Sequence, residues 1–203
     1  MLFAFASLML NITPGNDMMY VASRSVSQGT RAGIISSLGI MVGCLVHILA
    51  AVAGLSLLIA KSATAFSWLK WAGALYLVYL GIQSFRKSQT SLVLSAAVRA
   101  DSNSKIFWQG VVTNVLNPKV ALFFLAFLPQ FVNNGAVHTQ WIILLLGIWF
   151  NLSGTMVNIL VSVLFGRMGN WLSKKSWFAS LQQKITGALL IILGVKLALT
   201  SKK

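Results

Sequence analysis

Residues 8–22 read Leu8-Met9-Leu10-Asn11-Ile12-Thr13-Pro14-Gly15-Asn16-Asp17-Met18-Met19-Tyr20-Val21-Ala22. An apolar run long enough to cross a bilayer is interrupted at its centre by a proline, a glycine and an acid. Proline removes a backbone donor and clashes with the carbonyl one turn earlier, and glycine relaxes the backbone further. Unpaired backbone groups survive at membrane depth only where they line a polar cavity or are buried in protein. A carboxylate there costs about 2.5–3.5 kcal/mol on insertion scales, and such residues mark ion or substrate pathways. The stretch therefore predicts a broken transmembrane helix beside a polar cavity.

The rest of the chain agrees with a membrane setting. Of 203 residues, 57% are apolar and 9% charged, against about a quarter charged in a soluble domain. Asp17 and Asp101 are the two acids, against sixteen Lys and Arg. Those basic residues sit mostly in short gaps between apolar runs, which reads as membrane topology and lipid contact and excludes a nucleic-acid partner. The first ten residues lack a basic region and a small-residue cleavage site, so the first apolar stretch is expected to be retained as a span.

Six segments approach the roughly 20 residues that a spanning helix needs. They are residues 2–22, 33–59, 66–84, 109–132, 141–165 and 185–200. None alternates with the period of a barrel strand, so the expected fold is an all-α integral membrane protein, one polytopic domain over residues 1–203. The gaps after spans one, three and five hold ten basic residues; the other side holds Lys61, Lys70, Lys196, Lys202 and Lys203. That asymmetry predicts odd-numbered loops in the cytoplasm of a bacterial inner membrane and both termini outside.

The two halves echo one another. Asn117-Pro118-Lys119 breaks span four as Thr13-Pro14-Gly15 breaks span one. Gly73-Ala74-Leu75 followed by Leu80-Gly81 in span three returns as Gly187-Ala188-Leu189 followed by Leu193-Gly194 in span six. Three helices per half is odd, so two such repeats, about 1–87 and 106–203, must be inverted relative to one another across a Ser-rich connection at about 88–105. Breaks at matching helices are the sequence signature of a secondary transporter with alternating access. The simpler reading is that Pro is common in membrane helices and Gly-Ala-Leu is a short match.

The candidate substrate-binding residues are those around the breaks: Asn11, Thr13, Pro14, Gly15, Asn16 and Asp17, with Asn114, Asn117, Pro118 and Lys119. Asp17 either holds a substrate ammonium or exchanges a proton, or else it caps the helix that restarts after Gly15 or pairs structurally with a lysine. Lys119, the one basic residue well inside a span, either complements Asp17 across a cavity or pairs with it as a structural bridge. His47 shares a helical face with Cys44; it is either a hydrogen-bonded core histidine or a second proton-coupling residue. That pair falls short of a metal site, and no metal or cofactor is expected. Gly39-x-x-x-Gly43 reads as a close helix contact, within one chain or in a homodimer. Asn151, Ser153 and Asn158 are either glue between helices or cavity lining, and Trp68, Trp71 and Trp141 read as interfacial anchors. No Walker motif and no nucleophile–base constellation is present, so an enzyme is not expected.

Three blocks also carry a resemblance: residues 13–17 with Ser23-Arg24-Ser25 and Gly29; Leu69-Lys70-Trp71-Ala72-Gly73-Ala74-Leu75-Tyr76-Leu77 with Gly81-Ile82-Gln83; and residues 114–119 with Phe127-Leu128-Pro129-Gln130-Phe131. In this order they resemble the LysE/RhtB amino-acid exporter family over essentially the whole chain. The resemblance implies a compact six-helix exporter of neutral amino acids or close derivatives, of the threonine, homoserine or leucine kind, driven by the proton motive force. Asn16 stands where the commonest family version has a second proline. Asn151 and Asn158 stand in the helix where many members have an acid, which disfavours a cationic substrate. The rivals from other classes are a passive channel for small polar solutes and a non-transporting membrane scaffold.

Overall fold

A computed structural model describes residues 2–55, 101–132 and 138–172, together with single positions and short runs between 64 and 85 and between 184 and 199. Every described element is helical. In chain order these are α1 (Leu2–Ile12), α2 (Asn16–Ala50) running into a π-helical turn (Ala51–Leu55), α3 (Asn103–Val115), α4 (Pro118–Leu122) continued by a π turn (Phe123–Phe127) and a 3-10 turn (Leu128–Phe131), and α5 (Thr139–Leu172). Two helical stretches, Asn16–Gly54 and Thr139–Arg167, are long and apolar enough to cross a membrane. The pair α3 and Pro118–Phe131, bent by 42°, makes up to three. The expected connection at 88–105 lies largely outside the described residues, as do parts of spans three and six.

α2 is not one straight rod. Gly29 has φ 84° and ψ 173°, a conformation that only glycine adopts at ease. Eight residues along a straight helix cover about 12 Å, yet a Cβ on Gly33 would collide with Ser25 Oγ. The chain therefore folds back at Gly29, and residues 16–28 and 30–50 run side by side. The first of these continues α1 after the break at Thr13–Gly15, as the sequence leads one to expect for span one.

Small residues let the helices close. A Cβ on Gly43 would lie 2.6 Å from the Val111 carbonyl, and one on Gly110 2.7 Å from the Ser36 carbonyl; one on Gly39 would strike the Phe107 carbonyl. The Gly39-x-x-x-Gly43 face thus packs α2 on α3 within the chain and is not free for a second copy. Farther along, Gly81 and Gly187 each approach the other's carbonyl, 2.8 Å from an added Cβ in both directions, so the described parts of spans three and six touch at their matching glycines.

α5 wears its polarity inside out. Leu145, Leu152, Met156 and Leu160 face outward, more than half exposed, while Asn151, Thr155, Asn158 and Ser162 are buried. That is the pattern of a helix with lipid on one side and a polar interior on the other. Trp68, Trp71 and Trp141 face outward as anchors would. α3 begins at Asn103, six residues before the expected start of span four, because Ser102 caps it by accepting from Lys105 N at 3.4 Å.

Candidate functional site

The two breaks meet, and they exchange partners. After the first break, Asp17 Oδ2 accepts a hydrogen bond of 2.8 Å from Asn114 Nδ2, just before the second break. After the second break, Lys119 Nζ donates to the carbonyls of Leu10 at 3.1 Å and Thr13 at 2.9 Å, just before the first. The local reason lies in the prolines. An α-helix would send the amide of residue 14 to the carbonyl of residue 10; Pro14 has no amide, so Leu10 O takes the Thr13 amide at 3.1 Å and keeps a lone pair open to a further donor, while the end of α1 presents a negative dipole. Lys119 answers both needs. Pro118 likewise brings no amide to the Asn114 carbonyl, which accepts from Asn117 N at 2.9 Å and has His47 Nε2 at 2.9 Å as a second partner. A carbonyl only accepts, so His47 carries its proton on Nε2. Each proline break is thus closed by a basic side chain from elsewhere in the chain.

Gly15 earns its place by space. Its φ of −151° and ψ of −171° are extended backbone open to any residue, so the conformational freedom expected of it is not what is used. A Cβ there would lie 3.1 Å from Lys119 Nζ and 3.2 Å from Cε. Only a hydrogen in that position lets the ammonium pass to the Leu10 and Thr13 carbonyls.

Between the breaks and α5 lies a cavity of about 30 Å³, lined on the polar side by Asn11, Asp17, Asn114, Lys119, Asn151 and Thr155 among others. That is room for about two water molecules. Asp17 does not cap its helix; no side chain does. Nor does it form an ion pair with Lys119, so the expected structural bridge is absent and the two charges face the cavity separately. Asp17 Oδ1, Asn114 Oδ1 and Asn117 Nδ2 are buried with no hydrogen-bond partner in the protein.

The other sequence candidates divide. Asn11 lines the cavity and is held by Nδ2 donating to Phe150 O at 3.1 Å and Ser153 Oγ at 3.0 Å. Thr13 back-bonds to Met9 O at 2.8 Å and contributes its carbonyl. Asn117 caps α4 by accepting from Lys119 N at 3.0 Å. Asn16 and Pro118 are exposed and do not line the cavity. His47 is off the cavity wall and acts on it through Asn114. Missed as cavity lining were Met18, Ile40, Cys44, Val120, Phe150, Gly154 and Thr155. Thr155 was readable: Asn151, Thr155, Asn158 and Ser162 recur at helical spacing on one face.

Two further sets of contacts hold the helices around the site. Phe150 stacks on Phe123 at 4.6 Å, within a cluster that includes Phe3, Phe124 and Phe127. Beyond them, successive turns of α2 are tied to α3 and the residue before its cap by Tyr20 Oη to Ile106 O at 2.8 Å, Arg24 to Gln109 Oε1 at 2.6 Å, and Arg24 to Asp101 at 2.7 Å. Asp101 also pairs with Lys105 at 2.6 Å. The Lys105 hydrogen bond, with Arg24 behind it, holds the Asp101 carboxyl below the usual carboxylate range.

The LysE type translocator model matches residues 8–201. The chain belongs to that family. A Bacillus subtilis relative named an uncharacterized membrane protein, YrhP, is 36% identical over 95% of this chain and 94% of its own length. A homoserine/homoserine lactone efflux protein of Salmonella typhimurium is 29% identical over 97% of this chain and 94% of its own. A leucine efflux protein of Salmonella choleraesuis is 28% identical over 68% of this chain and 65% of its own. No solved structure matches. This LysE-type translocator is thus a membrane protein of a transport family, and its breaks fall inside the matched region.

Proposed function

We propose that this translocator exports a neutral amino acid or a close derivative by alternating access, in exchange for a proton. The observation that carries the reading is the reciprocal exchange across the breaks, which leaves a buried carboxylate and an ammonium facing one cavity without pairing. A zwitterion fits that arrangement. Its ammonium goes to the two acceptors that lack partners, Asp17 Oδ1 and Asn114 Oδ1. Its carboxylate goes to Lys119, whose ammonium has one N–H beyond the two given to carbonyls. Because the cavity holds little more than water, the substrate enters only as the packing around it opens, and the Phe150 cluster, which lines it, is the part of that packing that must move in this reading.

Asp17 is the cavity's one carboxylate and therefore the proton carrier in this reading, with His47 acting on it through Asn114. At roughly 150 mV a proton is worth about 3.5 kcal/mol from the potential. At about 1.4 kcal/mol per decade, that sustains an outward gradient of a few hundredfold. The exchange across the breaks and the Gly81–Gly187 contact support two inverted three-helix repeats. Thr30 against Gly166, and Arg24 against Asp101, support a reading in which Arg24, Arg31, Lys105 and Arg167 share one end, and the charge asymmetry favours the cytoplasm for it.

The test is efflux from intact cells preloaded with peptides of homoserine, threonine or leucine, comparing wild type with Asp17→Asn at matched membrane levels, with and without a protonophore. Faster efflux that needs both Asp17 and the proton gradient is expected. Efflux indifferent to the protonophore would make the protein a facilitator, and no efflux of any amino acid would favour the scaffold.

A further inference from the structure

The proposed head-group sites leave the substrate side chain without a reader, and one residue on α5 is free to be it. Asn158 is 7% exposed, lines the cavity, and makes no side-chain hydrogen bond among the described residues. The polar residues on the same face are committed. Asn151 Nδ2 donates to Met41 O at 3.2 Å, Thr155 Oγ1 to Asn151 O at 2.8 Å, and Ser162 Oγ to Asn158 O at 2.8 Å.

Its position along the cavity follows from its neighbours. One turn before it, Gly154 faces Asn11; one turn after it, Ser162 Oγ lies 3.2 Å from Ser37 Oγ. Met18 and Ile40 cluster with Val161, three residues beyond Asn158. Lys119 is anchored on Leu10 and Thr13, beside Asn11 and so toward the Gly154 turn, and Asp17 lines the same cavity. An amino acid held by Lys119 and Asp17 extends its side chain toward Asn158.

We propose that Asn158 determines specificity, selecting a small neutral amino acid whose side chain ends in a hydroxyl or carbonyl oxygen over one that ends in methyl groups. This rests on the amino-acid exporter reading above. A hydroxyl takes a hydrogen bond from the amide nitrogen and gives one to the amide oxygen. A methyl in the same place leaves both groups dry and unpaired, and a buried polar group so treated discriminates by at least about tenfold. The apolar neighbours Met18 and Ile40 accept the methylenes of either side chain and do not choose between them.

The experiment compares efflux of homoserine with efflux of norvaline, which replaces the hydroxyl by a methyl at equal length, from proteoliposomes holding the purified protein. Wild type is expected to move homoserine about tenfold or more faster than norvaline. Asn158→Leu is expected to bring the ratio to within about threefold of unity, by lost homoserine transport with norvaline transport kept. Asn158→Ala, which removes the amide without adding bulk, must behave likewise and serves if the leucine variant does not fold. A wild-type preference for norvaline, or a ratio unmoved in a variant that still transports, overturns the assignment and leaves the exporter reading intact. A wild type that moves neither amino acid overturns both.

Discussion

Gly15→Ala is a small change with a sign that depends on a residue over a hundred positions away. Its backbone angles suit alanine, so the substitution alone should stabilise the fold by about 0.4–1 kcal/mol through the unfolded chain. Against that, the new methyl would stand 3.1–3.2 Å from the Lys119 ammonium and its neighbouring carbon, several tenths of an ångström inside ordinary contact. Lys119 can yield only by stretching its bonds of 2.9 and 3.1 Å to Thr13 and Leu10. Hydrogen bonds to a charged group contribute about 1.5–3 kcal/mol each. Losing about a third of two such bonds costs about 1–2 kcal/mol, so the net change in wild type is about 0.5–1.5 kcal/mol of destabilisation. With about 2–4 °C per kcal/mol for a chain of this size, the detergent-solubilised protein should melt about 1–5 °C lower. In a Lys119→Ala background the clash is gone, and the same Gly15→Ala change should raise the melting temperature by about 1–3 °C. The four proteins of this cycle, compared by thermal unfolding in one detergent, give a coupling of about 1–2 kcal/mol, well above the roughly 0.5 kcal/mol within which independent sites add. Equal effects of Gly15→Ala in both backgrounds would refute the claim that Gly15 exists to let Lys119 through.

Gly43→Val should remove folded protein from the membrane, because its Cβ would stand 2.6 Å from the Val111 carbonyl and backbone cannot move aside as a side chain can; solubilised yield by size-exclusion chromatography checks this. His47→Gln should keep stability near wild type, since an amide can still donate to the Asn114 carbonyl, whereas His47→Leu should cost about 0.5–1.5 kcal/mol by removing one of that carbonyl's two donors, Asn117 N remaining; melting curves of the two separate hydrogen bonding from proton coupling, which neither variant retains. Asp101 contributes stability through a lowered carboxyl pKa, so that contribution is complete above the unfolded value of about 3.9 and fades as pH falls through the folded one. Wild type should therefore melt above Asp101→Asn at pH 5–8, and the two curves should converge below about pH 4. The Cys44 thiol lines the cavity and is 3% exposed, so its alkylation by a membrane-permeant maleimide should be slow and slower still under saturating substrate, as mass spectrometry of the intact protein would read.

The breaks, and the polar residues that flank them, were legible because proline, glycine and an acid are costly in an apolar run and so stand out one residue at a time. Asn11, Asp17, Asn114 and Lys119 all reached the cavity. Asn16 and Pro118 did not, because which way a side chain points after a break depends on the new helix's phase, and the sequence leaves that phase open. The charge pattern relates Lys119 to Asp17, across a cavity or as a pair; its ammonium goes instead to the Leu10 and Thr13 carbonyls at the end of α1. A residue-by-residue tally of charges does not see backbone acceptors. The fold-back at Gly29 was hidden because the helical periodicity continues through it, and the apolar lining from Met18, Ile40, Cys44 and Phe150 because such residues look alike whether they face lipid, core or substrate. The stripe of Asn151, Thr155, Asn158 and Ser162 was visible in principle. Read as a face, it marks α5 as the cavity's third wall.

The central claim is that Asp17 couples the movement of an amino acid to that of a proton. Purified protein in liposomes, loaded with homoserine or leucine at equal concentration on both sides and then acidified outside, tests it most directly. The account predicts net amino-acid efflux against its growing gradient, abolished by a protonophore and absent in Asp17→Asn. Efflux that never exceeds equilibrium, or that proceeds equally in Asp17→Asn, would contradict it.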